Sequence, residues 1–157
     1  MLKKINHFFQ AIIIYIFFLV GRILGIKISR KIFSWLFIYL GPLFKSKRII
    51  NNNIKIYSKN ITSINQKKIV SSMWSNYGKT FIEYIFLDHL KKTSSNILIE
   101  GEENLFELIK KNKQVIFVSG HFANFELMSM LITKKNIPLA TIYRPLNNIF
   151  LNPFMEY

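Results

Sequence analysis

The chain has 157 residues, half of them hydrophobic and 15% aromatic, with no cysteine and a formal net charge of +14. No disulfide framework, thiolate chemistry or Cys-based zinc site is therefore available, and one domain with its own core is the expected scale. High hydrophobicity combined with strong positive charge points to two classes of partner, nucleic acid or an anionic membrane surface.

Residues 8–20 read FFQAIIIYIFFLV and follow Met1-Leu2-Lys3-Lys4. A basic start and an apolar run are signal-peptide features. The next residues, GRILGIKISRK, offer no small-x-small cleavage site, so an uncleaved anchor is expected. The run is shorter than the ~20 residues that span a bilayer. A second apolar stretch, IFSWLFIYLGPLF, covers 32–44 between Arg30-Lys31 and Lys45, Lys47 and Arg48. Two helices with cationic margins suit a segment lying in, or dipping into, the cytoplasmic leaflet. The competing reading is a pair of buried core helices. Residues 1–48 are thus expected to form a membrane-anchoring region and 49–157 a second region.

After Arg48 the sequence turns polar and Asn-rich through residue 67. Ser63 to Gln66 reads as a helix start, and Ile69, Met73, Tyr77, Phe81 and Ile85 mark an apolar face widened by Trp74 and Tyr84. From Asn96 the rhythm changes. NILIE at 96–100 reads as a strand, Gly101-Glu102 as a turn, and 103–112 as a helix with Leu105, Leu108 and Ile109 inward. QVIFV at 114–118 is a near-continuous apolar strand, as when both sheet faces are covered. Residues 127–135 read as a helix stopped before Pro138, and LATIY at 139–143 as a third strand. This order predicts an α/β fold with a parallel-rich sheet, right-handed crossovers and flanking helices. Three strands leave apolar faces and an edge uncovered, so an incomplete domain is expected.

His121 and Glu126 stand just past the 114–118 segment, in SGHFANFE. In open α/β sheets ligands bind outside the carboxyl ends of strands. On one continuous helix, residues five apart lie about 140° out of phase. They meet if His121 lies in a loop and Glu126 in the first helical turn, with Asn124 as the N-cap. A carboxylate there, favoured by the helix dipole, holds one imidazole nitrogen and leaves the other free to take a proton. Such a pair activates a hydroxyl. A backbone N–H near Gly120 or at the helix start would stabilise an oxyanion. Ser119 lacks a Gly-x-Ser-x-Gly elbow. A capped helix with a packed histidine is the bland alternative. No metal site is expected, because His7 and His89 have no useful spacing to this pair.

SGHFANFE resembles the His-x4-Asp/Glu block of glycerolipid and lysophospholipid acyltransferases, and in detail that of the lipid A biosynthesis lauroyl/myristoyl acyltransferases. WSNYGKTFIE at 74–83, IEGEENL at 99–105 and IYRPLNN at 142–148 resemble further blocks of that family, in the same order. Phe125 stands where relatives commonly have Trp. The resemblance implies a glycerolipid-acyltransferase-like fold. It also implies acyl transfer from acyl carrier protein to a hydroxyl of a lipid A precursor, at the cytoplasmic face of the bacterial inner membrane. His121 would be the general base and Glu126 its orienting carboxylate. Gly120, Asn124 and Arg144 would contact substrate, with Arg144 meeting a phosphate of the acceptor or of the carrier's phosphopantetheine arm. The alternative for Arg144 is a salt bridge that fixes its loop. The family also has an active-site arginine and an aspartate-bearing block beyond the region that resembles it here, so the resemblance implies that this chain alone lacks part of the active site. No cofactor is implied, because the thioester carries the activation. The positive surface would steer an acidic carrier, a phosphorylated acceptor and an anionic membrane. Nucleic acid is not an expected partner: the lysines are dispersed and no binding motif is present. A related phospholipid or glycolipid acyltransferase and an inactive membrane-associated fragment remain as alternatives.

Overall fold

The computed structural model describes residues 2–93, 97–120, 123–142 and 144–155. The chain divides into two compact units, Met1–Phe86 with Ala140–Tyr157, and Leu87–Leu139.

The first unit is built on α1, Leu2–Phe44, whose helical run is broken at Gly25. Gly25 has φ 74° and ψ 162°, a region open essentially to glycine alone. The two arms, residues 2–24 and 26–44, are about 34 and 28 Å long at 1.5 Å per residue. They fold back on each other. Ser29 Oγ donates to the Gly21 carbonyl at 2.7 Å, although residues eight apart on a straight helix are about 12 Å apart. The Phe17 and Phe33 rings, about 24 Å apart on a straight helix, have centroids 5.6 Å apart. The break also explains the buried serine. It takes up a carbonyl that would otherwise lose its i+4 partner at the turn.

Helix α2, Lys47–Tyr57, turns Ile50 and Ile54 inward, four residues apart, against Trp74. The polar stretch after Arg48 is therefore largely helical. Helix α3, Ser63–Glu83, starts where the sequence places it, with the Thr62 side chain accepting from Asn65 N–H. It runs antiparallel to the second arm of α1. Gly41 lies on the Trp74 ring, Gly78 on the Phe33 backbone, Ser34 Oγ is 2.6 Å from Ser75 Oγ, and Arg30 pairs with Glu83 at 3.0 Å. Its inward line is Trp74, Gly78 and Ile82, one residue round from the line expected at Met73, Tyr77 and Phe81. Ile69 and Tyr77 are exposed. Glycine sets the closest approach, and hydrophobicity does not mark it. Phe81 still reaches inward, with its ring against Phe18, Phe33 and Phe37.

A 3-10 turn, Tyr84–Phe86, follows α3. The same unit includes the segment after Ala140. There Asn148 Nδ2 donates to the His7 carbonyl at 2.8 Å and Tyr15 OH donates to the Phe150 carbonyl at 3.0 Å. The Phe154 ring lies on Phe18. A short helix, numbered α7 in chain order, covers Asn152–Met155.

The second unit holds α4, Leu87–Thr93, α5, Glu102–Lys110, and α6, Glu126–Lys134. Helix α6 packs on α4. Gly101, at φ 75°, makes the turn into α5 that its sequence marks. The expected parallel-rich α/β sheet is not formed: among the described residues there is no strand at all. The segments expected to pair, 97–100, 114–118 and 139–142, carry no ladder, while Asn96 and Tyr143 lie outside the described residues. Ile116 and Val118 are 90% and 88% exposed, whereas Val115 and Phe117 between and beside them are half-buried. β-Branched residues extend one segment by themselves, but a sheet needs two segments exchanging backbone hydrogen bonds. The helices satisfy their own N–H and C=O groups locally and so form regardless.

Candidate active site

Helix α6 begins at Glu126, inside SGHFANFE, and of the residues before it in that block Ser119, Gly120 and residues 123–125 are described. Among the described residues no sheet end presents this segment. Residues 113–120 form no regular secondary structure, and Ser119 Oγ donates to the Gly120 carbonyl at 3.2 Å. Gly120 is half-buried at the end of this segment. His121 lies outside the described residues. Ala123 has φ 47°, a left-handed residue that reverses the chain into the turn before α6.

Glu126 is the first residue of α6, within the first turn as expected, where the helix N-terminus favours an anion. The N-cap position is Phe125 in place of Asn124, with helical φ/ψ of −67° and −19°. Asn124 instead supplies a backbone carbonyl to Leu127 N–H at 3.3 Å, and Phe125 supplies one to Met128 N–H at 3.1 Å. A tight i to i+3 turn therefore starts the helix, so no side-chain cap at Phe125 is required. These two bonds engage the Leu127 and Met128 N–H groups, which leaves them poorly suited as oxyanion donors. Arg144 lies in the first unit and is exposed.

A second feature, absent from the sequence reading, lies along the helix that Glu126 heads. Within the second unit a cavity of about 420 Å³ opens between α5, α6, residues 98–101 and Phe117. Met128, Leu131 and Ile132 of α6 face Leu105 and Phe106 of α5 across it, with Phe117 also on its wall. Its size falls in the range of small-molecule sites, and its lining is mostly hydrocarbon. Lys135 and Glu102, both on the lining, pair with each other, and the Lys135 ammonium lies 5.7 Å from the Phe106 ring centroid. The two charged partners stand 33 residues apart in the chain, so no local pattern announces them. Thus α6 carries a carboxylate on its first turn and an apolar wall on the next two.

No curated protein and no solved structure matches the chain. The sequence model of the bacterial lipid A biosynthesis acyltransferases matches residues 2–156, nearly the whole length. That span takes in the hairpin, the Trp74–Glu83 block on α3, the junction before α6 and the Arg144 segment. The chain therefore belongs to the bacterial lipid A biosynthesis acyltransferase family, and it is an acyltransferase.

Proposed function

We propose that this acyltransferase moves a fatty acyl group from an acyl carrier protein thioester to a hydroxyl of a lipid A precursor, at the cytoplasmic face of the inner membrane. The observation that supports it best is the construction of α6. Glu126 heads the helix, five residues after His121, and the same helix walls an apolar cavity of about 420 Å³. In this reading Glu126 holds one imidazole nitrogen of His121. The other nitrogen takes the proton from the acceptor hydroxyl as its oxygen attacks the thioester carbonyl. The C–S bond breaks as the ester forms, and the imidazolium returns the proton to the departing thiolate. The apolar cavity receives the acyl chain. Backbone N–H groups near Gly120 steady the oxyanion, and Asn124 shapes the turn that brings Glu126 towards the histidine. Arg144 binds a phosphate of the acceptor or of the carrier arm. The thioester supplies the activation, so the step calls for no metal or redox cofactor.

The test is turnover of acyl carrier thioester with a lipid A precursor. His121→Ala is expected to lower it about 10²–10⁴-fold, the range for general acid–base catalysis. Glu126→Gln is expected to lower it less. Near-normal turnover in a folded His121→Ala protein removes the base role, and an unaffected Glu126→Gln removes the orienting one. A phospholipid in place of the lipid A precursor tests the acceptor class. Preferred acylation of the phospholipid would move the enzyme to a different branch of acyl transfer with the same dyad.

A further inference from the structure

The arms of α1 are apolar all round, yet only 17% of the most apolar stretch is buried. Each arm has two faces with different fates. On the second arm, Arg30, Phe33, Ser34, Phe37 and Gly41 meet α3. The opposite line, Ile28, Ile32, Trp35, Tyr39 and Leu43, is exposed, with Trp35 and Tyr39 at 61% each. On the first arm Ala11 and Gly21 are buried, while Phe9, Ile13, Ile16, Leu19 and Ile23 are 52–77% exposed. A helix with no polar face is buried or meets lipid, and no described residue covers these two lines.

Two features oppose a hairpin that crosses the bilayer. Helix α3 lies along the second arm from Gly41 to Arg30, and the stretch that would accompany that arm into hydrocarbon includes Asn76, Lys79 and the Arg30–Glu83 pair. A lysine at the bilayer centre costs about 2.5–3.5 kcal/mol on insertion scales. The segment around Asn148–Phe150 is irregular and bonds to the first arm at His7 and Tyr15. Irregular backbone exposed to lipid is not tolerated at hydrocarbon depth. Cations stand at both ends of the hairpin, with Lys3 and Lys4 at the start, Arg22, Lys27 and Lys31 at the turn, and Lys45 past the end.

We infer that the α1 hairpin lies flat in one leaflet of an anionic membrane. The Phe9–Ile23 and Ile28–Leu43 lines are immersed, α3 faces water, and the cations at both the turn and the ends sit among headgroups on the same side. Trp35 and Tyr39 then occupy the depth that aromatic residues favour. This mode of attachment does not depend on the acyl-transfer reading and stands or falls separately.

The chain has no cysteine, so single cysteines report unambiguously. Lys27→Cys at the turn, Lys45→Cys at the end, Ser71→Cys on the outer face of α3 and Leu19→Cys on the immersed line are expressed in a bacterium. Each is treated with a membrane-impermeant maleimide in spheroplasts and in inverted inner-membrane vesicles. The inference expects positions 27, 45 and 71 to label in inverted vesicles only, and position 19 in neither until detergent is added. Labelling of position 27 in spheroplasts alone would show a crossing hairpin and overturn it. Labelling of position 19 as readily as position 71 without detergent would show no immersion and overturn it equally. A check that needs no substitution uses the unaltered protein on phosphatidylethanolamine–phosphatidylglycerol vesicles with lipids brominated near the glycerol or near the chain end. Trp35 emission should be quenched more by the shallow bromines, since Trp74 is buried in protein. Stronger quenching by the deep set contradicts the flat arrangement.

Discussion

Gly78→Ala sets two effects of opposite sign against each other. Alanine favours a helix interior over glycine by about 1 kcal/mol, so at an exposed site the substitution would stabilise α3. At Gly78 an added Cβ would sit 2.2 Å from the Phe33 carbonyl oxygen and 2.7 Å from its carbon. Both are backbone atoms of the second arm, and neither can rotate away. Relief requires α3 to move off the arm, against the Trp74–Gly41 contact and the Arg30–Glu83 pair. Overpacking of this kind costs about 1–3 kcal/mol, and an unyielding backbone places it at the upper end. The net loss is then about 2 kcal/mol, or a melting shift of roughly 4–8 °C for a chain of this size. Thermal unfolding in detergent micelles, followed by far-UV circular dichroism, measures it. Gly21→Ala is the comparison, because its Cβ would meet the Cδ1 end of Ile82 at 2.5 Å and a flexible side chain can give. A higher melting temperature for Gly78→Ala, or a larger loss for Gly21→Ala, refutes the idea that backbone contact fixes how closely α3 approaches.

Gly25→Ala forces an L side chain into a backbone region reserved for glycine, so the hairpin should lose about 1–3 kcal/mol, read as a lower denaturant midpoint at unchanged slope. No loss would mean that the turn does not hold that conformation. Phe81→Ala removes a ring that touches Phe18, Phe33 and Phe37. Because Phe81 is half-buried, the loss should be near the low end for such truncations, about 3 kcal/mol, and the same denaturant titration reports it.

What the sequence disclosed follows from the range of the interactions involved. The start of α3 at Ser63, the Gly101 turn into α5 and the entry of Glu126 in the first turn of α6 are set by residues within four positions of one another. The hairpin was half legible: two apolar runs with basic margins were plain, but the reversal rests on one glycine, Gly25, between them. The sheet was misjudged because QVIFV and LATIY show only that a segment favours extension, while pairing depends on a neighbour the pattern does not name. The contact line of α3 was missed by one residue because Gly78, not an apolar side chain, marks the closest approach. The cavity beside α6 draws its walls from residues 98 to 135, too far apart for any periodicity to collect.

The bond from Asn148 to His7 joins positions 141 residues apart. At 5–20 residues per second, a ribosome makes the second partner roughly 7–30 s after the first. For that interval the flank of the first arm that carries Phe8 and Tyr15 lacks the 148–154 segment it later meets. Tertiary closure of this arm therefore waits for the 148–154 segment, whereas contact with lipid is open from the first. Nascent chains stalled before Asn148 should already sediment with membranes. The bilayer then acts as the scaffold on which the rest of the first unit assembles.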